Sequence, residues 1–120
     1  MPVLERTKSA YLDWTTCHAR LPKLHRYSLG AHIDKLFIEI IEAIAQAAFL
    51  AREEKLPWVR HAIRKLDALK VLFMVLWETK SLDTKKYAAL SERLDVVGKM
   101  LGGWSGQLAK LNPTKRWGEK

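Results

Sequence analysis

Residues 87–111, YAALSERLDVVGKMLGGWSGQLAKL, place Tyr87, Leu90, Leu94, Val97, Leu101, Trp104, Leu108 and Leu111 at alternating steps of three and four. An α-helix brings such a series onto one side as a heptad seam. Gly98, Gly102 and Gly103 lie inside this seam, and each costs about 1 kcal/mol relative to alanine in a helix interior. Together they offset a large fraction of a small domain's stability. Keeping them there predicts close approach of another backbone, because glycine alone lacks a Cβ. Gly98 and Gly102 are one turn apart and flank a groove beside Trp104, which marks these four residues for helix packing or assembly. The alternative is a helix that ends near Gly102, but the apolar spacing continues through Leu108 and Leu111.

Three further stretches carry the same period. Residues 3–21 place Leu4, Thr7, Tyr11, Trp14, His18 and Leu21 in register, and Pro22 stops the helix. Residues 23–27 read as a short basic connection. A second helix opens at Ser28, a suitable N-cap, and runs through Ile33, Phe37, Ile40, Ile44, Ala47 and Ala51. Leu36 and Ile41 widen its apolar face, which suits burial against more than one neighbour, including another subunit. Residues 28–55 hold five acids and three bases, a net acidic segment turned away from nucleic acid. Residues 52–56 read as a turn, with Pro57 in the first turn of a third helix built on Val59, Ala62, Leu66, Leu69, Phe73 and Leu76. Ser81 or Asp83 then caps the fourth helix. No strand-like alternation competes. The expectation is an all-α, up-down antiparallel four-helix bundle over residues 1–111, followed by a flexible basic tail over residues 112–120 with Trp117 as a docking residue.

Composition narrows the chemistry. A chain of 120 residues makes one domain, and its net charge of +8 with a pI near 9.8 points to polyanions or acidic protein surfaces. The lone Cys17 rules out an internal disulfide and fits a reducing cytoplasm. No secretory signal opens the chain. The most apolar run, residues 36–51, contains Glu39 and Glu42 and falls short of the roughly 20 residues that span a bilayer.

Catalytic patterns are missing from the sequence. His18, His25, His32 and His61 show no HxxxH or HExxH spacing. Glu39 and Glu42 are not followed by the ExxH of a di-iron bundle, and the glycines do not follow a strand as a phosphate loop requires. The expectation is no enzyme, metal or cofactor. The candidate phosphate contacts are Arg20, Lys23, Arg26, Arg60, Arg64, Lys65, Lys85, Lys86 and Lys99, which would act through Coulomb attraction and counterion release. Arg60 and Arg64 lead because they are one turn apart on one surface. Lys85 and Lys86 oppose the dipole of the helix they open, so they serve another purpose or are simply solvated. For any single cation the plain alternative is a solvated helix face. Trp58 and Trp117 are candidates for base stacking or interface packing.

Pro22-Lys23, Arg26-Tyr27 and Leu29-Gly30, then Tyr87 with Ser91-Glu92-Arg93-Leu94, then Gly98-Lys99-Met100-Leu101-Gly102-Gly103-Trp104 form a set. This set resembles the accessory variability determinant proteins of diversity-generating retroelements. They belong to a wider four-helix-bundle group that includes proteins encoded in intervening sequences of 23S ribosomal RNA genes. The resemblance implies a homopentameric, barrel-like ring without catalysis. It also implies binding to RNA, DNA or their hybrid, and to a reverse transcriptase that copies template RNA with errors. The alternative is a structural or interaction protein of the intervening-sequence type with no retroelement role. Ser105-Gly106 departs from the β-branched or basic continuation expected after Trp104, which bears on where the last helix ends.

Overall fold

A computed structural model describes residues 1–111, so the tail expected at 112–120 lies outside the described residues. The described residues form α1 (Pro2–Ala19), a single-turn α2 (Lys23–Arg26), α3 (Leu29–Phe49), α4 (Arg52–Glu78) and α5 (Thr84–Leu111), with no strand among them. Neighbouring pairs are α1 with α3, α3 with α4, α4 with α5, and α5 with α1, which closes a four-helix bundle. Two points along each pair set the antiparallel sense. On α4 and α5, Lys70 meets Asp95 at 3.1 Å while Leu66 packs by Gly98; on α1 and α5, Cys17 shares a groove with Lys86, Ser9 shares one with Val96, and Arg93 between them meets both Ser9 and Asp13.

The seams form the core. Ile33, Phe37, Ile40 and Ile44 of α3, Val59, Leu66, Leu69 and Phe73 of α4, and Leu94, Val97 and Leu101 of α5 are buried. Trp14, fully buried, lies 6.2 Å from Phe37 and 6.1 Å edge-on to Phe73. Aromatic pairs of this kind contribute roughly 0.5–1.5 kcal/mol beyond their buried area. On α1 the buried line is Val3, Thr7, Ala10 and Trp14, so Leu4 and Tyr11 sit half-buried at its edge. Thr7 satisfies its buried hydroxyl by donating to the Val3 carbonyl at 2.7 Å.

α1 ends at Ala19, so Leu21 has left the helix before Pro22, as the proline requires, and is buried beyond the helix end. Three other local expectations are corrected. First, the connection expected at residues 23–27 contains the turn of helix α2. Second, Ser28 holds the N-cap position of α3 without a side-chain cap bond, because its hydroxyl donates to the Leu24 carbonyl at 3.2 Å. Third, α4 starts at Arg52, so residues 52–56 are helical and Pro57 lies inside the helix. A proline there removes one backbone hydrogen bond. The segment is held regardless: Glu53 and Glu54 suit the positive end of the dipole, and Leu56 is buried. The Lys55 ammonium donates to the Ala47 and Ala48 carbonyls at 2.7 and 3.3 Å, satisfying groups that the end of α3 leaves open. At the other junction Asp83 caps α5, accepting from the Lys86 backbone N–H at 2.8 Å. Ser81 instead pairs with His25 Nδ1 at 2.8 Å, tying α2 to the α4–α5 connection.

Candidate nucleic-acid interface

The cationic candidates separate along the bundle. Arg20 at the end of α1, Lys23 in α2, and Lys85 and Lys86 in the first turn of α5 are exposed at one end. Arg60 and Arg64 on α4 and Lys99 on α5 are exposed toward the other end. Lys86 and Lys99 are thirteen positions apart on one helix, about 20 Å at the helical rise. Lys65 is half-buried and reaches Glu39 of α3 at 3.6 Å. Arg26 is tied into the fold: its Nε and one Nη donate to the Leu21 carbonyl at 3.2 and 2.9 Å. Those bonds hold the corner where α1 ends, so the Arg26 guanidinium is first a structural group.

Cys17 lies between the cations of the first cluster. It lines a small groove with Asp13, Thr16, Lys86 and Arg93. Burial pushes its thiol above the ordinary range, against the opposing pull of Lys86. A thiol held in this way is a poor nucleophile at neutral pH.

The glycines of α5 differ from one another. A Cβ on Gly98 would stand 3.3 Å from Lys70 Nζ and 3.4 Å from Leu66 Cδ2, so α4 packs close there. Gly102 and Gly103 are exposed, and a Cβ on either meets nothing within 4 Å. The close approach expected at those two positions is therefore absent among the described residues. Trp104 beside them is half-buried against the core. Among the described residues the tightest glycine is Gly30, where a Cβ would lie 2.9 Å from Leu21 Cδ1 and 3.0 Å from both His18 Cδ2 and the His25 carbonyl.

Polar residues overlooked in the sequence also meet at that corner. Trp14 Nε1 donates to Asp34 Oδ1 at 3.2 Å. His18 stacks on Trp14, places Nε2 2.9 Å from the Arg26 carbonyl and faces Asp34 with Nδ1 at 3.9 Å. Burial, then the Asp34 carboxylate, raises the Tyr11 phenol above its ordinary pKa. Asp34 carried no motif, and its partner Trp14 is twenty residues away, so only the packed fold connects them. Among the described residues no group of three His, Cys, Asp or Glu side chains is placed to hold a metal, and no helix is long and apolar enough to cross a membrane.

Among the described residues these features define a small all-helical bundle with exposed cations toward both ends. The chain belongs to the bAvd-like family, the bacterial accessory variability determinants, whose family model matches residues 3–108. Among curated proteins, none matches it.

Proposed function

We propose that this chain is a non-catalytic, nucleic-acid-binding accessory of a retroelement reverse transcriptase and works as a homopentamer. The observation that carries the reading is the placement of charge in a member of this family. Cations stand exposed at both ends of the bundle, while α3 keeps Glu39 and Glu42 on a separate face. Phosphates of a template RNA, or of its hybrid with cDNA, lie against the cations. Several copies in one ring multiply a modest patch by effective concentration. The acidic side remains for protein contacts.

Assembly has a surface available. Ser9 and Asp13 of α1 lie beside Arg93 of α5. Continued at the helical rise, that pairing exhausts α1 near residue 101 of α5. The last nine or ten residues of α5, about 14 Å, therefore extend past α1 with Gly102 and Gly103 bare and Leu111 exposed. A neighbouring copy seated there supplies the close approach that the protomer itself lacks.

The test is binding to RNA, DNA and hybrid duplexes across an ionic-strength series, on protein of known oligomeric mass. Arg60→Glu with Arg64→Glu is expected to weaken binding at least tenfold at low salt. The slope of log K against log salt flattens by about 0.9 for each duplex phosphate that the variant no longer neutralises. Helicity stays unchanged. Binding that is unaltered at low salt removes these residues from the interface.

A further inference from the structure

The segment that joins α1 to α3 is tied down at several points. The Arg26 side chain donates twice to the Leu21 carbonyl, and the Arg26 carbonyl lies 2.9 Å from His18 Nε2. His25 pairs with Ser81 of the α4–α5 connection, and the Ser28 hydroxyl closes the turn onto the Leu24 carbonyl. Gly30 packs against the His25 carbonyl with no room for a Cβ. Side chains carried by such a segment stay where its backbone puts them.

Two of them are put in water. Leu24 is 79% exposed and Tyr27 72% exposed, three residues apart on one side of the turn. The Arg26 guanidinium, fixed on Leu21, lies 5.9 Å from the centre of the Tyr27 ring, within cation–π reach. That contact steadies the ring and still leaves most of its surface open. A lone aromatic in water is ordinary, but this one has cationic company. Arg20, Lys23, Lys80, Lys85 and Lys86 are exposed at the same end of the bundle. Glu78 and Asp83 oppose them, and Asp83 is engaged as the cap of α5. A positive surface draws phosphates without regard to sequence, and a ring set among the cations adds a face on which a base stacks. Bases inside a duplex offer no such face, because each is already stacked on its neighbours. Trp58, toward the other end, is the poorer platform: it is 39% exposed, rests edge-on against His61 and shares its groove with Glu42.

We propose that Tyr27 is a stacking platform and that the α2 end of the bundle takes an unpaired stretch of RNA or DNA. One base lies on the open face of the Tyr27 ring, and Arg20 and Lys23 neutralise the flanking phosphates. Lys85 and Lys86 continue the positive track. Because the segment is already fixed, little conformational freedom is lost on binding. This inference rests on the nucleic-acid reading and names the form of nucleic acid that this end selects.

The experiment uses the full chain at one ionic strength, with short single strands of RNA and DNA that carry a central 2-aminopurine. The matching duplexes serve as reference. Tyr27→Ala is expected to bind the single strands roughly tenfold more weakly, the loss of one base–aromatic stack, while duplex affinity changes by less than about twofold. The parent chain quenches the 2-aminopurine fluorescence on binding, and Tyr27→Ala loses most of that quenching. Tyr27→Trp and Tyr27→Phe, which keep a ring, retain both signals. Circular dichroism checks that helicity is the same in all variants. Single-strand affinity and quenching that are unchanged in Tyr27→Ala overturn the proposal, while nucleic-acid binding itself stands if Arg60→Glu with Arg64→Glu still weakens it. An equal loss on single strands and duplexes also overturns it, because the ring then does not select an unpaired base. A parent chain that binds none of the probes overturns both readings.

Discussion

Asp34 shows how one side chain holds a corner that no motif announces. It accepts from the indole N–H of the fully buried Trp14, and removing it leaves that donor buried without a partner, a loss of about 1–3 kcal/mol. Asp34→Ala is therefore expected to lower the unfolding free energy by that amount, read as a fall in the urea midpoint equal to that amount divided by an unchanged slope m, with Asp34→Asn losing less because it keeps an acceptor. An Asp34→Ala chain as stable as the parent would show the bond to be worthless. Tyr11 gives a pH signature. Its raised pKa means the fold prefers the protonated phenol. Above pH 10 the unfolded chain loses this proton first, so stability present below pH 10 is lost as pH climbs toward the folded value. Tyr11→Phe is expected to show a smaller fall in Tm between pH 9 and pH 11 than the parent. Trp14 was legible in the sequence as a seam residue because period alone put it inside. Asp34 was not, because a polar residue on a helix is read as solvated until its distant partner is seen.

Helices, being periodic, were the most legible elements. The seams of α3, α4 and α5 recur as buried lines, and α5 continues through its glycines to Leu111. Boundaries were less legible because they depend on contacts between elements. Pro57 looks like a helix start until Lys55 is seen bonding the end of α3. The glycines divide for the same reason. At Gly30 a backbone carbonyl stands 3.0 Å from any added Cβ and cannot swing away as a side chain would. Gly30→Ala is expected to destabilise by about 1–3 kcal/mol through overpacking. Gly102→Ala meets nothing and is expected to stabilise an isolated protomer by about 0.5–1 kcal/mol through helix propensity. Urea unfolding of the two variants at low concentration checks the opposite signs. Light scattering of Gly102→Ala then asks whether the same methyl group weakens assembly.

At the scale of the molecule, net charge was evident from composition, but its division was not. Position along the sequence does not reveal that Lys23 and Lys85, far apart in the chain, stand at one end of the bundle. That placement follows from α1 and α5 running antiparallel, with Arg93 beside Asp13. Nor does it reveal that Arg26 is committed to the Leu21 carbonyl. The division has a measurable consequence. Lys85 and Lys86 are about 20 Å or more from the Arg60–Arg64 cluster, by the rise along α5. Mutations that far apart without shared partners add within about 0.5 kcal/mol. If one polyanion lies along both ends, Lys85→Glu with Lys86→Glu is expected to weaken binding on its own. Combined with Arg60→Glu and Arg64→Glu, the decreases in binding free energy then sum, and the salt slope falls by both contributions. A salt series on the two double variants and the quadruple variant, at matched oligomeric mass, decides this. If the first pair leaves affinity unchanged while the second abolishes it, the nucleic acid is confined to the α4 end and the Lys85–Lys86 end is left to other partners.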